Sequence, residues 1–392
     1  MAISQKVAAY CQQASWIRRM FVEGQKLKEE LGPEKVFDFT LGNPSVPPPP
    51  AFKERLLAVV QESPPALHRY MPNAGDPATR QALAAFLTRT HGVSFTEEQV
   101  VMTCGAAGAL NVVLKALLDP GDEVVILAPY FPEYLFYVDN HGGKPVVVET
   151  RRDFSLDVAA IQAALTPHTK ALILNSPNNP TGVVYPAESL AELGACLSRR
   201  GSELGTTIYL LSDEPYRHIV YGDEPCPSVF QAYSQAILVN SYSKELSIPG
   251  ERIGYLAVGP EVEPQAELLE ALGFCNRTLG FVNAPALMQA VIRGLQGVTV
   301  DLAPYRRNRD LLYAGLVEAG FEVVRPDGAF YLFPKTPIPD DVAFVNALRE
   351  EHILAVPGVG FGRSGYMRLS YCVEEEVIRK ALPGFARVAA RF

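Results

Sequence analysis

From Gln99 to Asn240 the sequence alternates short, continuously apolar runs with longer stretches of helical periodicity. The runs are Gln99–Thr103, Glu123–Ala128, Pro145–Glu149, Ala171–Asn175, Thr207–Leu211 and Ala236–Asn240, and Ala106–Leu118 and Ala187–Arg199 are the clearest helical stretches between them. A strand that is apolar throughout, rather than at every second residue, is buried on both faces, and the intervening helices supply the cover. This pattern predicts an α/β fold with a mainly parallel sheet flanked by helices. Outside that region the rhythm changes. Residues 16–30 read as an amphipathic helix through Trp16, Ile17, Met20, Phe21 and Leu27. Val36–Leu41 reads as a short strand. Four prolines, Pro47 to Pro50, then form a rigid connector, since they cannot occupy a helix interior or a central strand. Beyond about residue 290 come a helix (Leu302–Ala319), strands at Glu322–Val324 and Ala329–Phe333 about the turn Pro326-Asp327-Gly328, a helix (Asp341–Glu351), strands near Leu354 and at Met367–Tyr371, and a last helix. That mixture predicts a second, smaller α+β domain.

The net charge of −8 over 392 residues argues against nucleic acid as a partner, because binding a phosphate backbone needs a basic footprint. The six cysteines are scattered, with no CxxC pair and no histidine at zinc-ligand spacing, so reduced thiols and no metal site are expected, as in a cytoplasmic protein. The N-terminus, with Lys6, Gln12, Gln13, Arg18 and Arg19, lacks the apolar core of a signal peptide. No apolar run approaches the roughly 18 residues of a membrane span.

In open α/β sheets ligands bind beyond the carboxyl ends of the strands, and the polar oddities of this sequence collect there. The runs end at Cys104-Gly105-Ala106-Ala107, at Pro129-Tyr130-Phe131-Pro132, at Asn175-Ser176-Pro177-Asn178-Asn179-Pro180-Thr181-Gly182, at Ser212-Asp213-Glu214-Pro215-Tyr216 and at Ser241-Tyr242-Ser243-Lys244. Gly105, Ala106 and Ala107 stand where a helix begins, and free N–H groups there suit a phosphate, although an ordinary strand-to-helix turn has the same look. Asp213 follows an apolar run directly. It is either a structural cap or core ion pair, or the counter-ion of a protonated ring nitrogen, with Tyr216 near the ring. Lys244 is either a solvated charge or an amine whose pKa is lowered by burial near another cation, which lets it attack a carbonyl. Arg252 supplies that cation, and a two-point phosphate contact, if the strand after Lys244 doubles back. Arg368 lies within an apolar strand, where a guanidinium is costly without an anion.

These stretches, with Pro249-Gly250-Glu251-Arg252-Ile253-Gly254-Tyr255, Gly42-Asn43-Pro44, Tyr70 with Gly75, and Met367-Arg368-Leu369-Ser370, resemble the fold-type I pyridoxal-phosphate enzymes, specifically the class I/II aminotransferases related to aspartate aminotransferase. The motifs keep the family's order from residue 42 to residue 370. The resemblance implies a large domain with a seven-stranded sheet at residues 49–290. It also implies a small domain built from part of residues 1–48, which include an N-terminal arm, together with residues 291–392. It implies pyridoxal 5'-phosphate held as a Schiff base on Lys244, with Asp213 on the ring nitrogen. Asn179 and Tyr216 would bond the phenolic oxygen, and Phe131 would stack on the ring. Gly105, Ala106, Ala107, Ser241 and Arg252 would hold the phosphate, with Tyr70 reaching over from the neighbouring subunit of a homodimer. Arg368 would clamp the substrate α-carboxylate, helped by Gly42 and Asn179. The implied reaction moves the amino group of an L-amino acid, aspartate first, to a 2-oxo acid such as 2-oxoglutarate by a ping-pong route. Two features depart from the family: alanines stand in the phosphate loop where relatives often carry a hydroxyl, and Phe131 replaces the tryptophan of some aspartate-specific relatives.

Other chemistries share the fold. A carbon–sulfur β-lyase would use the same Lys244, Asp213 and Arg368. A non-enzymatic regulatory domain would need a DNA-binding module before it, and Gly42 comes too early to leave room for one. A dicarboxylate substrate also needs a second cation, for which Arg277 is a candidate; a surface arginine reads the same way.

Overall fold

A computed structural model of the chain describes residues 3–12, 16–65, 67–222 and 224–392; the side chains of residues 12, 17–19 and 21 lie outside that description. The N-terminal reading through Gln13, and the contribution of Ile17 and Phe21 to the amphipathic helix, therefore fall outside the described atoms. The helix itself runs over Trp16–Leu31.

Among the described residues the strands, in chain order, are β1 (Phe37–Asp38), β2 (Val100–Thr103), β3 (Glu123–Ala128), β4 (Lys144–Glu149), β5 (Thr169–Asn175), β6 (Tyr209–Asp213), β7 (Ala236–Ser241), β8 (Gly254–Val258), β9 (Tyr331–Leu332), β10 (Ile353–Leu354), β11 (Val356–Pro357) and β12 (Met367–Ser370). Seven of them form one sheet in the order β2-β8-β7-β6-β5-β3-β4. The pairs β3–β4, β3–β5, β5–β6 and β6–β7 are parallel, while β8 runs antiparallel to both β7 and β2. The sheet is thus α/β and mainly parallel, as the apolar runs require.

Apart from β4, its strands are buried on both sides because successive side chains alternate between two cores; β4, expected from its apolar run to be covered as well, lies at the sheet's edge and exposes Lys144, Pro145, Val147 and Glu149. Val125, Leu127, Leu172, Leu174, Leu210 and Leu238 enter one cluster. Val124, Ile126, Ile173, Leu211, Ile237 and Val239 enter the other. A third cluster gathers Phe39, Tyr305, Leu312, Phe344, Leu369 and Phe385 around the smaller sheets. There β11, β12 and β9 form an antiparallel sheet, and β1 pairs in parallel with β10, so the N-terminal segment packs with the C-terminal one. Pro50 heads the helix Pro50–Glu62, the position where a missing N–H costs nothing.

Three expectations are corrected. The run expected at Thr207–Leu211 is β6 at Tyr209–Asp213, so Asp213 lies inside the strand rather than after it. Hydrophobicity stops at Leu211, but the ladder continues: Ser212 and Asp213 pair with Leu174 and Asn175 on one side and with Leu238 and Val239 on the other. Glu322–Val324 forms no strand; its backbone tie is a single bond from Lys335 N to Glu322 O, 3.0 Å. Ala329–Phe333 shrinks to Tyr331–Leu332, because Ala329 turns the chain at φ 54°.

Candidate active site

The carboxyl ends of β5, β6 and β7 meet the small sheets around a cavity of about 300 Å³. Gly42, Ala106, Ala107, Phe131, Asn179 and Asp213 line it, as do Tyr216, Ser241, Lys244, Arg252 and Arg368.

Asp213 is held from both sides. Asn175, its partner across the ladder, donates from Nδ2 to Asp213 O at 2.8 Å, and accepts from the Asn179 N–H at 2.7 Å, which places Asn179 over the strand end. The Tyr134 hydroxyl donates to Asp213 Oδ2 at 2.5 Å, while Oδ1 is buried with no partner. Burial pushes the Asp213 pKa up to about 7; the bond from Tyr134 opposes that rise and the neighbouring Glu214 adds to it.

Lys244 rides on the single-turn helix Tyr242–Glu245 directly after β7, with the Ser241 side chain capping it through the Ser243 N–H at 3.2 Å. Its Nζ donates to Gly42 O at 2.6 Å and sits 5.5 Å from the centre of the Phe330 ring. The amine opens on the cavity yet is largely enclosed by protein. Burial lowers its pKa to about 8, with Arg368 and Arg252 pushing the same way and Cys372 against. A lysine in that state spends time as a neutral nucleophile near neutral pH.

The turn after Lys244 doubles back as β8, and this carries Arg252 to the start of the helix Gly105–Leu117. Gly105 has φ 73°, and a Cβ placed on it would lie 2.9 Å from Arg252 Nη2, so only glycine leaves that corner open. Gly254 is under the same constraint, since its Cβ would fall 2.4 Å from Asn240 O. Free helix N–H groups, an exposed guanidinium and the Ser241 and Ser243 hydroxyls, 2.6 Å apart, converge there, a donor set of the kind that suits a phosphate.

Arg368, on β12, is 2% exposed. Its Nη1 donates to Asn179 Oδ1 at 3.0 Å and its Nη2 to Thr40 O at 2.5 Å, while Nε has no partner. The guanidinium lies 4.6 Å from the Tyr331 ring centre and 4.8 Å from that of Phe361. Tyr331 also bonds the Tyr216 hydroxyl at 3.0 Å. Phe131 packs edge-on against Tyr134, with ring centres 5.6 Å apart.

Two sequence candidates stand elsewhere. Tyr70 is 91% exposed and borders a separate surface hollow with Arg69, Phe281 and Asn283. Arg277 is exposed, lying 5.4 Å from the Phe274 ring centre, and does not line the cavity. Conversely, Glu133, Tyr134, Tyr137 and Tyr331 line the cavity although no motif flagged them. Their only signal is position, since Glu133 and Tyr134 begin the helix directly after Phe131-Pro132.

Pyridoxal phosphate fits this set. An orphaned buried carboxylate oxygen at Asp213 calls for a cationic N–H, a buried amine at Lys244 for a carbonyl carbon, and the Gly105–Arg252 corner for a phosphate. Among the described residues no group of three His, Cys, Asp or Glu side chains could hold a metal ion, and no helix is long and apolar enough to cross a membrane.

Known proteins share both sequence and architecture with the chain. The profile of the family described as Aminotransferase class I and II matches residues 34–385. The aspartate/prephenate aminotransferase of Thermus thermophilus is 38% identical over 363 residues, 90% of each chain. A probable aspartate aminotransferase of Methanocaldococcus jannaschii is 35% identical over 321 residues, 80% of this chain and 83% of that one. The crystal structure of an amino transferase from Eubacterium rectale superposes with a TM-score of 0.97 at 40% identity, covering 100% of this chain and 99% of that one. That of Thermus thermophilus aspartate aminotransferase with maleate gives 0.86 at 34% identity, covering 99% and 100%. A buried lysine, an unpaired acid and an open phosphate corner thus stand in a fold shared along its whole length: the chain belongs to the class I and II aminotransferases, which use pyridoxal phosphate to pass an amino group from an amino acid to a 2-oxo acid.

Proposed function

We propose that the amino donor is aspartate and the acceptor a 2-oxo acid such as 2-oxoglutarate, with Lys244, Asp213 and Arg368 as the working residues. One observation carries this reading: the Lys244 amine shares a cavity with an acid and a guanidinium that each bury a polar atom without a partner, Asp213 Oδ1 and Arg368 Nε. The aspartate preference is supported by the names of the similar proteins from Thermus and Methanocaldococcus.

When bound, pyridoxal phosphate supplies an electron sink that makes the substrate Cα–H acidic. Asp213 Oδ1 would accept a hydrogen bond from the protonated ring nitrogen and so keep that nitrogen charged. Asn179 and Tyr216 would bond the cofactor's phenolic oxygen, and Phe131 would cover its ring. Ala106, Ala107 and Gly105 offer backbone N–H groups, and Ser241 and Arg252 side-chain donors, to the phosphate. Arg368 fixes the substrate carboxylate through its free N–H groups, with Gly42 beside it, so that the Cα–H bond is held in one orientation. Lys244 Nζ takes the proton from Cα; its lowered pKa suits a base working near neutral pH. Two such half-reactions in turn give ping-pong kinetics.

The same reading divides the chain near residues 48 and 290, supported by the separate core around the small sheets. It makes the protein a cytoplasmic homodimer in which the exposed Tyr70 completes the neighbouring phosphate site. A half-reaction screen tests the donor. Each L-amino acid is added alone to loaded enzyme, and loss of the cofactor's visible absorbance is followed. Aspartate should react with the highest kcat/KM; a neutral or aromatic amino acid that outpaces it removes the aspartate assignment.

A further inference from the structure

The mechanism leaves one charged side chain of the cavity unused. Glu133 opens the helix Glu133–Asn140 and lines the same cavity as Lys244, Asp213 and Arg368. Its Oε2 is buried and has no hydrogen-bond partner. A carboxylate at the first position of a helix gains from the helix dipole, which accounts for its place in the sequence. The dipole does not account for an oxygen removed from water with no donor to bond, a cost of about 1–3 kcal/mol or more. Asp213 Oδ1 and Arg368 Nε are in the same condition, and both face a ligand in the reading above.

The surroundings of Glu133 are mixed. Arg368 on β12 attracts its charge, and Tyr137 stands on its own helix. Lys244, Arg252, Asp213, Tyr134, Tyr216 and Tyr331 complete the ionisable groups of the cavity wall. Burial raises the Glu133 pKa, and its own backbone N–H and Arg368 pull it back.

A dicarboxylic substrate meets a difficulty here. The cations on the wall are Lys244, Arg252 and Arg368, and all three are committed. The far carboxylate of aspartate therefore finds no spare cation on this chain's wall. It finds Glu133. Two carboxylates repel, but a carboxylate and a carboxylic acid share a proton in a strong, charge-assisted hydrogen bond.

We propose that Glu133 reads the substrate side chain: protonated, it donates a hydrogen bond to the distal carboxylate of a dicarboxylic amino acid; ionised, it repels that carboxylate and accepts from an amide or hydroxyl instead. This deepens the aspartate reading and rests on Arg368 holding the α-carboxylate. The balance is simple, since one proton moves from solvent to Glu133 for each dicarboxylate bound and no covalent bond changes. The sign follows. The protonated form prevails below the Glu133 pKa, so dicarboxylate binding is strongest there and weakens by up to about tenfold for each pH unit above it. Asparagine, nearly the same shape, escapes that loss.

The test compares L-aspartate with L-asparagine on loaded enzyme from about pH 6 to about pH 9, and measures succinate and propionate binding by calorimetry in two buffers of different ionisation enthalpy. The aspartate-to-asparagine ratio of kcat/KM should fall at least about tenfold across the range. Where it falls, succinate should take up more protons than propionate, by up to about one. Glu133→Gln, which keeps a donor but cannot ionise, should flatten the ratio and abolish the difference in proton uptake. Glu133→Asp should keep both. A flat ratio in the wild type, a slope that survives Glu133→Gln, or equal proton uptake by the two acids overturns the proposal. Failure of the aspartate reading shows differently: aspartate does not react, while the calorimetric difference between succinate and propionate persists and still supports the role of Glu133.

Discussion

Tyr134 donates to Oδ2 of Asp213 at 2.5 Å, and Oδ1 of the same carboxylate is buried with no partner. One oxygen is bonded by the protein and the other has no partner within it. In the proposed site the ring nitrogen would offset the cost of burying that oxygen.

That cost depends on pH. The Asp213 pKa is raised from 3.8 to about 7 by burial. A raised acid binds its proton more tightly folded than unfolded, so its contribution is greatest below the unfolded value and is lost as pH rises toward the folded one. Cofactor-free protein should therefore lose up to about 4 kcal/mol between roughly pH 4 and pH 7, at 1.36 kcal/mol per unit. Loaded protein should not, because the ring nitrogen pairs the charge. Melting curves of both forms across that range check this; Asp213→Asn should flatten the cofactor-free profile, and an unchanged profile removes Asp213 as its source.

Lys244→Ala should lower turnover by at least about 10⁴-fold, because both the nucleophile and the base are lost. The fold should persist, since the side chain's sole hydrogen bond is to Gly42 O. Stopped-flow half-reactions with the variant give the number, and turnover within tenfold of wild type ends the assignment.

Arg368→Ala should cut kcat/KM by about 10²–10³-fold, a loss of about 2.7–4 kcal/mol, through a buried anion left without its partner. Arg368→Lys should rescue little, because a point charge cannot reproduce the planar fork stacked between Tyr331 and Phe361. The cofactor absorbance should stay as in the wild type, which separates loss of substrate from loss of cofactor.

Tyr134→Phe should leave Asp213 with neither oxygen bonded by a side chain, raising its pKa further in the cofactor-free protein. Cofactor affinity should drop by about tenfold, the worth of one charge-assisted bond. Equilibrium dialysis against pyridoxal phosphate measures it, and unaltered affinity makes the 2.5 Å bond incidental.

Tyr70→Phe should weaken cofactor retention only in the assembled dimer. Sedimentation fixes the oligomeric state, and a monomer that holds cofactor as tightly as the wild type contradicts the shared site.

Most strands of the large sheet were legible because both their faces are buried, which leaves an unbroken apolar run; β4 showed the same apolar run although it lies exposed at the sheet's edge. Their ends were not, because a polar residue can extend a ladder as well as an apolar one, as Ser212 and Asp213 do. Arg368 could be picked out because it is a charge within apolar sequence and Lys244 because it closes the polar tail of an apolar run; Arg252 was reached through its spacing from Lys244 and the family resemblance. Tyr134, Tyr331 and Glu133 could not. A tyrosine in an apolar stretch reads as core, and a glutamate opening a helix reads as a cap; only the three-dimensional meeting with Asp213, Tyr216 and Arg368 gives them work.

The strand order carries a consequence for how the protein is made. β2 is the first strand of the large sheet to leave the ribosome, yet its only partner in the sheet is β8, the last. Until β8 emerges, β2 has no ladder to join, and Arg252 cannot reach Gly105. Such long-range closure is slow and comes late. A nascent chain therefore cannot capture its vitamin-derived partner during most of its synthesis. The edge of the sheet and the corner proposed for the phosphate are completed in one stroke, only after Val258 of the 392 residues has been made.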